Sequence, residues 1–106
     1  MNPENLMKSV ELERELRITS EEVNDTLIKI SLYVGCIEKF YENKDKNEDF
    51  IADMQMRQAT LLRLVNRLND IAMQAMAINE QSIVFKCEDI KCQVRDTMET
   101  VRNLYM

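Results

Sequence analysis

Residues 42–49 read ENKDKNED, a fully polar stretch between two long segments with helical apolar spacing. It is the only convincing loop of the chain, and we place the loop at about residues 43–48. A short polar connection between two helices typically forms an antiparallel αα-hairpin. The sequence therefore predicts an all-α unit over residues 1–106, with one helix over about 3–42 and a long helix over about 49–105. A turn centred near Lys46 places Leu27 opposite Val65.

The first helix has a clear start and a regular apolar spacing. Asn2 is a good N-cap, and Pro3 suits the first helical position. Thr19–Glu22 resembles a capping box, which leaves a second helix start at Ser20 as an alternative to one continuous helix. A coiled-coil seam with heptad spacing is predicted at Val23, Leu27, Ile30, Val34, Ile37 and Tyr41. Continued toward the N-terminus, the same spacing falls on Ser20 and Glu13, so the predicted seam fades there.

The second helical segment contains no glycine or proline after Asp49. Its apolar stripe has an 11-residue period and favours one long, nearly straight helix. Asn79 is the only polar member of the stripe. The alternative is a break near Asn79–Ser82, which folds a third helix back into a compact three-helix bundle. The stripe runs through Val65, Leu68, Ala72, Met76, Asn79, Ile83, Cys87, Ile90, Val94, Met98, Val101 and Tyr105.

The composition argues against an enzyme and against a cofactor or metal site. The chain has no histidine, no nucleophile–base pair and no glycine-rich phosphate loop. Cys87 and Cys92 are five residues apart, which places them on different faces of a helix and not around one zinc ion. We interpret the three cysteines as reduced packing residues. With a net charge of −5, the chain is a poor candidate for binding nucleic acid.

An isolated hairpin leaves too much apolar surface in water. In a continuous second helix, everything beyond about Asp89 overhangs the first helix. A large exposed apolar patch is unusual on a soluble monomer, so partner helices are expected to cover it and complete a bundle. The predicted partner interface consists of Ile28, Leu32, Cys36, Phe40, Ile71, Met73, Met76, Ile78, Val94, Met98, Val101, Leu104 and Tyr105.

These features predict a non-catalytic scaffold subunit in an elongated, hetero-oligomeric, coiled-coil complex. Complexes of this kind serve in kinetochore and spindle assemblies and in membrane trafficking. The comparison with them is an analogy that rests on architecture alone. The alternative is a homodimeric or three-helix-bundle chaperone that holds a client helix in a groove. The sequence has no secretory leader pattern and no segment suited to membrane insertion, which predicts a cytoplasmic protein, brought to the spindle, the nucleus or an organelle surface by its partners.

Overall fold

The computed structural model describes residues 2–35 and 44–105, and side chains over residues 2–32 and 51–103. These residues form three α-helices with no strand among them. Helix α1 spans Pro3–Gly35, α2 spans Lys44–Ala77, and α3 spans Gln81–Tyr105. Each helix packs against the other two. The bundle is elongated, at 60 × 19 × 16 Å, and the all-α prediction is confirmed.

Helix α1 begins as predicted and continues without interruption. The Asn5 N–H donates to Asn2 Oδ1 at 2.7 Å, which satisfies one of the free amides of the first turn. The candidate second start at Ser20 is not used. Instead, Thr19 lies inside the helix with its hydroxyl donating to the Glu15 carbonyl oxygen at 2.8 Å. The predicted end near residue 42 lies outside the described residues.

Helix α2 begins at Lys44, inside the predicted loop at 43–48 and five residues before its predicted start. Polarity, with Asn47 as a plausible helix cap, predicts a loop here. Lysine and glutamate are good helix formers, and no glycine or proline interrupts this stretch. The register moves accordingly: Glu22 pairs with Arg63 and Arg67, although a turn at Lys46 would place it opposite Asp70.

The predicted continuous helix over 49–105 is wrong, and the alternative break near Asn79–Ser82 is present. Asn79 has a positive φ of 60°, the left-handed conformation that ends many helices. The Glu80 N–H donates to the Ala75 carbonyl at 2.9 Å, and the Asn79 N–H donates to the Met76 carbonyl at 3.1 Å. This pair of bonds is a Schellman motif, which satisfies the last carbonyls of α2 while the chain reverses.

The reversal sends α3 back along both other helices in an up-down-up arrangement. The core lies along the common axis, and its largest fully buried side chains come from all three helices. The core side of α1 continues backwards beyond Val23, but through the buried Thr19, Leu16 and Leu12 and not through the predicted Ser20 and Glu13. The remaining fully buried members are Ile30, Leu61, Leu64, Leu68, Ile71, Ile83, Cys87 and Val101.

The turn at Asn79 predicts opposite effects for two substitutions. Alanine in the left-handed conformation is strained, so Asn79→Ala should lower the free energy of unfolding by about 1 kcal/mol. Asn79→Gly should match or exceed the stability of the wild type, since glycine adopts this conformation without a Cβ clash. Urea unfolding followed by far-UV circular dichroism measures both. In a continuous helix the order is reversed, so a stabilising Asn79→Ala would contradict the turn.

Candidate protein-interaction surfaces

The structure divides the predicted partner interface into buried and exposed residues. Ile71, Val94 and Val101 are buried inside the chain, so the prediction that they contact a partner is wrong. Ile78 and Met98 are partly buried against the same core. The error follows from the turn at Asn79, because α3 covers the apolar surface that a continuous helix leaves in water.

Four predicted interface residues are exposed in the bundle. Ile28 and Leu32 lie toward the C-terminal end of α1, and Met73 and Met76 lie toward the C-terminal end of α2. The remaining predictions lie elsewhere: Cys36 and Phe40 are outside the described residues, and the side chains of Leu104 and Tyr105 are not described. The exposed four therefore belong to at least two separate surfaces.

The structure reveals a longer uncharged surface on α2 that the sequence interpretation missed. Its members recur at alternating steps of three and four residues, and every one is exposed. This heptad spacing places them along one side of α2, away from the core. The missed signal is a heptad line that diverges from the 11-residue stripe followed in the sequence interpretation. We call this surface the α2 outer face: Ala52, Gln55, Ala59, Leu62, Asn66, Asn69, Met73 and Met76.

The α2 outer face contains no charged residue. Half of the exposed side chains of α1 and α3 are charged, whereas the exposed charges of α2 over residues 51–77 are Arg63, Arg67 and Asp70 alone. Three apolar members of the face are largely in water: Leu62 is 65% exposed, Met73 68% and Met76 55%. A solvent-facing helix side usually carries charges, so this face has the composition of a contact surface.

Polar contacts attach both edges of α2 to its neighbours. On the α1 side, Glu22 approaches Arg63 at 3.6 Å and Arg67 at 3.9 Å. On the α3 side, Lys91 donates to Asn69 Oδ1 at 2.8 Å and pairs with Glu88 at 2.7 Å. Exposed ion pairs of this kind contribute little stability. They mark the two edges of the α2 outer face, where α2 meets α1 and α3.

A second candidate surface is a groove of about 730 Å³ between α1 and α3. Leu16 and Ile90 give it an apolar floor, and charged side chains of both signs line its walls. Val10, 60% exposed, lies at its N-terminal end. The lining residues are Val10, Glu13, Arg14, Leu16, Arg17, Ser20, Lys86, Asp89 and Ile90.

The two described cysteines differ in environment. Cys87 is buried in the core and Cys92 is exposed, which confirms that they occupy different faces of the helix. Burial raises the pKa of the Cys87 thiol; Lys91 opposes this effect and Glu88 reinforces it. Among the described side chains, no group of three His, Cys, Asp or Glu residues is placed to hold a metal ion. None of the described helices is long and apolar enough to cross a membrane.

Comparison with known proteins adds no family assignment. No protein-family model matches the chain, and no significant match was found among the curated proteins or the solved structures compared with it. The two surfaces are therefore interpreted from their own geometry and chemistry.

The cysteine environments predict site-selective alkylation. N-ethylmaleimide reacts with thiolates, so at neutral pH Cys92 should be modified rapidly and Cys87 only when the bundle opens. Timed labelling followed by peptide mass spectrometry resolves each site. Adding urea above the unfolding transition should bring the Cys87 rate up to that of Cys92. Equal rates in the folded protein would contradict the buried position of Cys87.

Proposed function

We propose that this protein is a non-catalytic structural subunit that binds a helix of another chain through the α2 outer face. The observation that carries the proposal is the lack of charge along the eight exposed positions of the α2 outer face in a chain that is 31% charged. Contact surfaces lose charged residues at their centre, because burying an unpaired charge is costly. A surface that only meets water has no such restriction.

The exposed side chains provide binding energy of a useful size. Burying a leucine or methionine fully is worth about 1.5–3 kcal/mol relative to leaving it in water. Leu62, Met73 and Met76 are each more than half exposed, and they lie on one side of the helix. A partner helix in line with α2 would cover all three. The flexible methionines suit such a contact because they adapt to an irregular partner surface.

The arrangement favours helix-to-helix docking over the partner-completed hairpin that the sequence suggested. The chain already forms its own core from three helices, so a partner adds a fourth helix to a finished bundle. We propose the same broad role, a scaffold subunit of a helical complex, while the hetero-oligomeric composition stays a prediction. Kinetochore, spindle and membrane-trafficking assemblies remain proposals by architectural analogy.

A second candidate function rests on the α1–α3 groove. Its apolar floor at Leu16 and Ile90 and its charged walls match the shape and chemistry that receive an amphipathic client helix. Val10 lines the N-terminal end of the groove, and the exposed Leu6 lies about one helical turn before it on α1. This candidate corresponds to the chaperone-like binding module that the sequence left open.

The α2 outer face can be tested in cells that express the protein. We expect Leu62→Glu to remove the chains that co-purify with the tagged wild type, because a carboxylate at the centre of the face cannot be buried without a partner. Phe85→Glu is the matched control, since Phe85 is also 65% exposed but lies on α3. Quantitative mass spectrometry of the recovered complexes measures both. An unchanged set of chains with Leu62→Glu would contradict the proposal.

The groove makes the complementary prediction. If it holds a client, Val10→Glu should release chains that Leu62→Glu retains, because the carboxylate enters the apolar end of the groove. Met7→Glu serves as the control, since Met7 is 67% exposed on the same helix but does not line the groove. The same recovery experiment compares the variants. Identical losses with Val10→Glu and Met7→Glu would argue against the groove.

A further inference from the structure

We infer that the helix received by the α2 outer face is α2 of a second copy of this chain, packed antiparallel about a two-fold axis. The inference rests on the proposed function and names the partner of the same surface. The evidence is a self-complementary pattern of size, polarity and charge along the face. Two copies of one surface meet in an isologous dimer, so such a pattern is what self-association requires.

The best register has its midpoint between Arg67 and Leu68. In an antiparallel pair, each residue then lies opposite a residue at the same distance on the other side of this midpoint. Leu62 faces Met73 of the second copy, and Ala59 faces Met76. Apolar side chains meet apolar side chains, and the small Ala59 leaves room for the long Met76, which is the alternation that good helix packing uses.

The polar members of the face meet each other at the centre of the same register. Asn66 lies opposite Asn69 of the second copy, twice in the dimer. Asn69 Oδ1 already accepts a hydrogen bond from Lys91 at 2.8 Å. The side-chain amide of Asn69 also has two N–H donors. One of them can donate to the side-chain oxygen of Asn66 of the second copy. A buried amide pair of this kind fixes the register and orientation of paired helices.

The charges beside the face agree with this register. Arg63 and Asp70 occupy one flank of the heptad line, and both are exposed. Arg63 comes next to Asp70 of the second copy, with two such contacts related by the symmetry axis. Shifting the midpoint by half a heptad, to Leu64, brings the two Arg63 side chains together and places Leu62 against Asn66. Like charges and mismatched polarity disfavour that register.

The contact area determines how strong the dimer can be. The paired segment from Ala59 to Met76 is roughly 27 Å long at 1.5 Å per residue. One helix pair of this length makes an interface smaller than that of most stable dimers. We therefore expect a reversible dimer whose population rises with protein concentration. The α1–α3 groove lies between the other two helices and stays open in this arrangement.

Sedimentation equilibrium of the purified full chain over a range of concentrations tests the inference. The wild type should move from monomer to dimer as concentration rises. Leu62→Glu should weaken the dimer roughly tenfold or more, because it places a carboxylate against Met73 of the second copy. Phe85→Glu should dimerise like the wild type. Far-UV circular dichroism confirms that each variant is folded.

A charge exchange tests the register and does not alter the apolar contacts. Asp70→Arg places two arginines together at each symmetry-related contact and should weaken the dimer. Adding Arg63→Asp should restore it, because the opposite charges meet again with their positions exchanged. Both residues are exposed, but Arg63 also lies 3.6 Å from Glu22 of its own chain. Arg63→Asp alone is therefore the control for the loss of that ion pair, and far-UV circular dichroism confirms that the single and double variants are folded. Failure of the double variant to recover would overturn the register.

The outcomes separate this inference from the proposed function. A wild type that stays monomeric at every concentration overturns self-association through α2. If, in that case, Leu62→Glu still removes co-purifying chains in cells, the α2 outer face binds a different protein and the proposed function stands. A dimer that persists in Leu62→Glu but disappears in Val10→Glu also overturns the inference, and assigns self-association to the groove.

Discussion

The left-handed turn at Asn79 is the constraint on which the rest of the structure depends. One residue with a positive φ ends α2, and two backbone hydrogen bonds satisfy the carbonyls that the end exposes. Because the chain reverses within three residues, α3 runs back alongside α2 and packs against both α2 and α1. The burial of Ile83, Cys87 and Val101 follows directly from that reversal. A straight helix through the same residues would leave them in water.

The turn also determines which surfaces remain available. A third helix covers one side of the α1–α2 pair and leaves the outward side of α2 uncovered. The side chains of the α2 outer face are amides, alanines, methionines and a leucine, although charged residues make up half of the exposed positions on the other helices. The groove between α1 and α3 is the other product of the reversal, since these two helices are not joined directly and their contact is set by α2.

The sequence was a good guide to helix content and a poor guide to connections. The cap at Asn2, the burial of Val23 and Ile30 in α1 and the stripe through Ile83, Cys87 and Val94 are local patterns, and the described residues show each of them. The turn could not be decided from the sequence, because Asn79–Ser82 has neither glycine nor proline and asparagine is compatible with both a helix and a left-handed cap. The polar residues after Lys44 misled for a related reason: polar residues are common both in loops and in helices, so polarity alone does not separate the two.

The α2 outer face was missed because the interpretation followed a single apolar stripe along the second helical segment. Leu62 lies outside that stripe, whereas Met76 lies on it and yet is 55% exposed. Which positions of α2 are buried and which are exposed becomes clear only when the position of the core is known. The same reasoning bears on function. Exposed positions of α2 contribute little to the core, so the fold itself would tolerate lysine or glutamate at Gln55, Ala59 or Asn66 at little cost. Folding therefore does not explain why the whole face is uncharged. The proposed contact with another helix would account for it, because burying an unpaired charge in such a contact is costly.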